Sequence, residues 1–275
     1  MSRAADESSA PDRHGPSGGH AHPAAGGADS AGQPWAGRSF QPNASSGDDG
    51  SAPERLIESL RRFRAGEVGE AEVVDAFRDS RLLIPLVAHL GEAGENDQGQ
   101  LVDKSQELSI VTVTGPDGRT VLPVFSSVQA MSAWNRTARP IPADGVRVAL
   151  AAASEQTDVV VLDPTSSTEF AVRRPALWAI AQSQPWTPSF ADALVRDAFE
   201  RSIEQELAVV SVRLRAGDPE AKLAGAELVV ELGLLQGLTQ QELDAVLARL
   251  AQRWAADEVI ATRVDSLAVS LRPAD

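Results

Sequence analysis

The sequence predicts an α+β fold: a disordered N-terminal tail, then an α+β domain, followed by a smaller α+β sandwich domain. Three observations carry this expectation. Residues 1–33 contain no Leu, Ile, Val or Phe, so they cannot bury enough apolar surface to offset the entropy of ordering. From residue 54 onward, stretches of helical period alternate with short β-branched runs. The segment Gln184-Pro-Trp186-Thr-Pro188 interrupts that pattern and reads as a linker. The divisions expected are a tail over 1–50, one domain over 51–184 and a second over 189–275.

The elements come in this order. Ser51-Ala-Pro-Glu54 has the spacing of a capping box, opening a helix whose buried stripe is Leu56, Ile57, Leu60 and Phe63. A second helix is expected over Glu70 to Arg78, burying Val73, Val74 and Phe77. Leu82 to Ala88 reads as a strand, with Pro85 arguing for an edge or a bulge. Residues 91–107 are polar and acidic, as in a long loop. Leu108 to Val113 and Thr120 to Phe125 flank Gly115-Pro-Asp-Gly118, a hairpin signal. Val128 to Trp134 is read as a helix.

Pro140 and Pro142 introduce Val146 to Ala153, whose alanine content suits a helix and whose alternation also suits a strand. Asp158 to Leu162 and Thr168 to Val172 read as hairpin partners, and Pro175 to Gln182 as a helix. A helix from Ala191 to Gln205 then leads into a strand from Leu207 to Arg215, with Val209, Ser211, Arg213 and Arg215 on its solvent or partner face. Ala226 to Leu232 is the next strand. Thr239-Gln-Gln-Glu242 is a second capping box, and its helix places Leu243, Val246, Leu247, Leu250 and Trp254 on one face. Ser266 to Leu271 closes a sheet covered on one side.

Composition narrows the function classes. Net charge is −14 with a pI near 4.7, a field that repels phosphate backbones. The local basic groups, Arg61, Arg62 and Arg64 and then Arg173-Arg174, lack interleaved aromatics, so nucleic acid is not the expected partner. Cysteine is absent, which removes disulfides, thiolate ligands and cysteine nucleophiles. No basic-then-apolar leader and no run of membrane-spanning length is evident, so a cytoplasmic protein without membrane attachment is expected. No phosphate-cradling glycine loop has the required context.

The chain from about Pro34 onward resembles the actinobacterial members of the SseB family, named for a link to serine sensitivity. The residues that carry the resemblance are Trp35-Ala-Gly-Arg38, Asp48-Asp-Gly-Ser51, Leu82-Leu-Ile-Pro-Leu-Val87, Leu162-Asp-Pro164, and the Leu238-Thr239 helix start with Val264-Asp-Ser-Leu267. The resemblance implies an N-terminal and a smaller C-terminal α+β domain. It implies no catalytic residues, so no enzyme activity and no cofactor are expected.

Most candidate sites have an ordinary explanation beside the functional one. His14, His20 and His22 fall in the tail and His89 at a strand end, without spacing-defined partners. Asp48 and Asp49 precede a helix, where acids are favoured by its dipole, and Asp163 before Pro164 is a turn former. Trp35, Arg38 and Phe40 stand out, because burying each aromatic contributes roughly 2 kcal/mol and the surrounding segment has no core. Docking on the protein's own body is their ordinary reading, and a partner-binding motif that inserts into another protein is the functional one. Arg173 and Arg174 have a solvated strand edge as their ordinary reading; the functional one places them with Trp178 and Trp186 in a pocket at the domain junction, for an amino acid or other anionic metabolite. Trp178 is expected to pack on the sheet, and Trp186 to cover the junction. The functional expectation is a regulatory adaptor that binds a protein partner, with homo-oligomer formation left open.

Overall fold

The computed structural model describes residues 48–90 and 106–274. Helices α1 (Glu54–Arg64) and α2 (Glu70–Arg78) pack against each other and match their expected ranges. Leu56, Leu60, Val73, Val74 and Phe77 are buried, and Ile57 and Phe63 pack against the same core. The capping box expected at Ser51 does not form. Pro53 is the N-cap of α1, and a proline there pre-sets the extended backbone but offers no side-chain acceptor. Asp48 and Asp49 instead accept from Gly50 and Ser51 backbone N–H groups, two consecutive Asx turns.

Strand β1 (Arg81–Leu90) is the centre of a three-stranded antiparallel sheet, between β2 (Gln106–Ile110) and a later strand β5 (Arg139–Asp144). Pro85 is therefore not on an edge strand. It lies opposite Pro140, and on its other flank it falls between the Leu83–Phe125 bridge and the β2 ladder, which begins at Leu86. A residue without an N–H is tolerated in that gap. Strand β5 contains Pro140 and Pro142, the two residues that hid it in the sequence.

The expected hairpin is shorter than its sequence signal. Residues 106–110 pair with β1, leaving only β3 (Val113–Thr114) to pair with β4 (Thr120–Val124). Helix α3 (Val128–Trp134) is next, then α4 (Gly145–Ser154), which settles the helix-or-strand ambiguity of this stretch. Strands β6 (Val159–Leu162) and β7 (Phe170–Arg173) complete a second sheet of order β3-β4-β6-β7, with β4 and β6 parallel. Helix α5 (Arg174–Ala181) closes this region. Its inner face and α1, α2 and α4 bury one side of the sheets through Leu122, Val160, Leu162, Phe170 and Val172.

After 184–188, which has no regular structure, a short 3-10 turn leads to α6 (Ala193–Ile203), β8 (Val209–Ala216), β9 (Leu228–Leu234), α7 (Gln240–Ala256), α8 (Glu258–Arg263) and β10 (Leu267–Pro273). The sheet order is β10-β9-β8, parallel and then antiparallel. The Thr239–Glu242 capping box is present, and Val246, Leu250 and Trp254 are buried on the face anticipated. Helix α8 was not anticipated, being a single capped turn and a half after Asp257. A bulge between Val209 and Ser211 shifts the pairing. Val209 is therefore buried, contrary to its expected solvent placement, while Ser211, Arg213 and Arg215 are exposed. The α+β class holds in both sheet regions. The expected tail motif and the loop over 91–105 lie outside the described residues.

Candidate functional site at the α5 junction

Of the four residues read as a junction pocket, Arg173 is the most deeply placed. It ends β7 and serves as N-cap of α5, an extended residue at the strand-to-helix corner. Its guanidinium reaches into the C-terminal region, 2.6 Å from Asp218 and 3.1 Å from Asp265, and also bonds the Gly225 carbonyl. Arg119 adds a second cation 3.0 Å from Asp265. Two guanidiniums thus neutralise two buried carboxylates, and a dry ion pair needs this degree of satisfaction to persist.

The same cluster holds more acid than base. Glu227 is buried, accepts from the Asp265 N–H at 2.6 Å through one oxygen, and has no hydrogen-bond partner for the other among the described residues. Burial pushes its carboxyl above the usual range, with the hydrogen bond from the Asp265 N–H opposing. Glu70, in the first turn of α2, is pushed up to about 7, first by burial and then by the nearby Glu227 charge, with Arg173 opposing. No group of three or more His, Asp and Glu side chains among the described residues is arranged to hold a metal ion.

Arg174 is placed differently. Its Nη2 donates to the Ala261 and Val264 carbonyls at 3.2 and 2.9 Å, at the end of α8, and its guanidinium stacks over the Trp178 ring at 5.2 Å. Trp178 is 45% exposed and so does not pack on the sheet as expected. An indole held by a cation on the outer face of α5 separates two hollows. One, of about 310 Å³, is lined by Ala149, Gln156, Asp158, Arg174 and Trp178. The other, of about 250 Å³, is lined by Trp178, Gln182, Gln184, Trp186, Asp192 and Arg263, and there Arg263 pairs with Asp192 at 2.8 Å. Trp186 packs against the main core. The structure therefore brings Arg174, Trp178 and Trp186 to one surface, while Arg173 lies beneath it as part of the junction.

Among the other sites considered, Asp48 pairs with Arg81 at 2.8 Å. His89 falls in β1 opposite Glu107. Asp163 is indeed a turn residue, in the left-handed region at φ 44°. It is also buried, and accepts from Ser126 N–H, Ser126 Oγ and Thr168 Oγ1, which joins the ends of β4 and β6. His14, His20, His22, Trp35, Arg38 and Phe40 lie outside the described residues.

Sequence reasoning did not single out the uncovered face of the C-terminal sheet as a site. Arg213 on β8 lies opposite Glu231 on β9 and, beyond it, Ser270 on β10. Arg215 and Arg272 both reach the Glu231 carboxylate, at 2.7 and 2.9 Å, and hold it below its ordinary range, Arg215 foremost. Three arginines therefore share with one acid a face that also carries Ser211, Val229, Gly233, Ala268 and Ser270. The period-2 placement of Arg213 and Arg215 was the available signal.

These features define an α+β protein whose helix-covered sheets meet at a buried ionic junction. Residues 56–179 match the family model described as SseB protein N-terminal domain, which supports an SseB N-terminal domain over this segment. The match ends within α5, short of the C-terminal sheet. No curated protein and no solved structure matches the chain.

Proposed function

We propose that this chain is a non-enzymatic, cytoplasmic regulatory adaptor of the SseB family that works through protein–protein contacts, with its C-terminal region serving as the family's second domain. The observation that carries the reading is the open β10-β9-β8 face, where Arg213, Arg215 and Arg272 outnumber Glu231 in a chain of net charge −14. Arginine is enriched at protein interfaces, and a local cationic face on an acidic protein suits an acidic patch on a partner protein. The overall charge disfavours nucleic acid as that partner. The Trp35, Arg38 and Phe40 motif supplies a second contact in this reading.

In-cell crosslinking and affinity capture with mass spectrometry test it. The full chain is compared with a variant carrying Arg213→Glu, Arg215→Glu and Arg272→Glu, and with one lacking residues 1–45. A specific partner lost in the triple variant supports the sheet face, and one lost on truncation moves the contact to the motif. No specific partner with any form overturns the adaptor reading.

A second reading, sensing of an amino acid or other anionic metabolite at the junction, draws support from the hollows on either side of Trp178. It is weakened by the prior engagement of Arg173 and Arg174 within the protein. A thermal-shift screen with amino acids and nucleotides tests it, since a ligand of the native state must raise apparent stability.

A further inference from the structure

The connection between β8 and β9 leaves its own sheet and lies on the outer face of the four-stranded sheet. Ala221 accepts from the Ala171 N–H at 2.7 Å and is buried with the main core, while Leu223 is buried on that outer face against Val121, Val159, Val161 and Ala171. Both residues sit in the left-handed region, at φ 48° and 59°, an uncommon conformation for a residue with a branched side chain such as leucine. Asp218 holds the turn, accepting from the Lys222 and Leu223 N–H groups at 3.2 and 2.7 Å, and Arg173 holds Asp218.

Leu223 does not fill the face it covers. Beside it remains a hollow of about 440 Å³, walled by Val121, Pro123, Trp134, Val161 and Leu223. The volume of this open hollow falls in the range of small-molecule sites. The mouth carries one cation, Lys222. The chain relies on arginine for nearly all its positive charge, with lysine at positions 104 and 222 alone. The Lys222 ammonium lies 2.9 Å from Glu220, a side chain 67% exposed, and such a surface pair contributes little and exchanges readily for a better anion. Glu169, also on the rim, is turned to accept from the Thr165 N–H.

Apolar walls with one exchangeable ammonium at the mouth are complementary to an amphiphile of opposite charge. We infer that this hollow binds a small carboxylic acid with an apolar body, its carboxylate on Lys222 and its alkyl or aryl part against Val121, Val161 and Trp134. The inference is independent of the adaptor reading, because it concerns a different sheet and a different class of ligand.

Decanoate is the probe, titrated into the full chain by calorimetry, with decan-1-ol and decyltrimethylammonium as charge controls. Saturable decanoate binding is expected, with decyltrimethylammonium excluded. Lys222→Met is expected to weaken decanoate about tenfold, the loss of one charge-assisted hydrogen bond, and to leave decan-1-ol unchanged. Thr114→Trp, at an exposed rim position, is expected to block both. Both substitutions are at the surface, and thermal unfolding of each variant checks that it is folded. Absence of saturable decanoate binding overturns the inference. So does binding that persists in folded Thr114→Trp, and so does decanoate affinity indifferent to Lys222→Met.

Discussion

Arg173 Nη2 lies 2.6 Å from Asp218 Oδ2, and both side chains are at least nine-tenths buried. The arginine belongs to the end of β7 and the aspartate to the β8–β9 connection, so one ion pair fastens the matched SseB region to the C-terminal sheet region. Arg173→Met is expected to destabilise the protein by about 3–5 kcal/mol, because it strands Asp218 and deprives Asp265 of one cation in a dry setting. Arg173→Lys recovers only part of this, since one ammonium cannot span both carboxylates. Urea midpoints of the three proteins measure the order, and equal midpoints for Met and wild type would remove the junction from any stability argument.

Protonation of the same cluster sets a pH dependence. In the native state Glu70 keeps its proton up to about pH 7, whereas its ordinary value is 4.5. The folded form therefore binds more protons than the unfolded one between those values, and stability from this group is lost as pH rises through that window. Glu227, also raised, acts in the same direction. Glu70→Gln is expected to gain on wild type in thermal midpoint between pH 5 and pH 8. A constant difference across that range would show that Glu70 titrates normally.

Asp163 holds Ser126 and Thr168 with one buried carboxylate in a left-handed backbone. Asp163→Ala orphans both Ser126 donors, leaves Thr168 Oγ1 only Ser166 Oγ and adds backbone strain, for a loss of about 3 kcal/mol. Asparagine keeps one acceptor oxygen and tolerates that conformation, so Asp163→Asn should lose visibly less. Guanidinium unfolding of the two variants decides the point, and equal losses would mean that the donors find other partners.

Gly145 opens α4 against the end of α2. A β-carbon there would stand 2.5 Å from the Phe77 carbonyl oxygen and 2.7 Å from Arg78 Cα, both backbone atoms that cannot step aside singly. Gly145→Ala is therefore expected to destabilise by about 2 kcal/mol, although alanine is the better helix former. An unchanged or raised thermal midpoint would contradict this.

Local patterns made most helices legible, and long-range pairing made several strands illegible. Helix α2 was readable because Val73, Val74 and Phe77 keep helical spacing in a bounded stretch. Strand β5 was not, because Pro140 and Pro142 signal a break, and only pairing with β1 overrides them. Thr239 and Ser51 have the same capping spacing, yet only Thr239 caps, since Pro53 fixes the start of α1 two residues later. At the candidate site, Arg174, Trp178 and Trp186 share a surface as sequence proximity suggests. The role of Arg173 was hidden, because its acidic partners lie 45 and 92 residues further along the chain.

The path of the β8–β9 connection bears on how this protein can be divided. The irregular stretch at 184–188 invites a cut, but Ala221 and Leu223 cross over that boundary, Ala221 into the main core and Leu223 onto the outer face of the sheet built by the earlier part. A fragment ending there would expose Val121, Val161 and Ala171 and leave Arg173 with no counter-ion. The later fragment would carry a contorted turn shaped to a surface it no longer has. The two parts are dovetailed rather than strung in series, so truncation after the matched region removes a piece of the earlier part's own packing along with the rest.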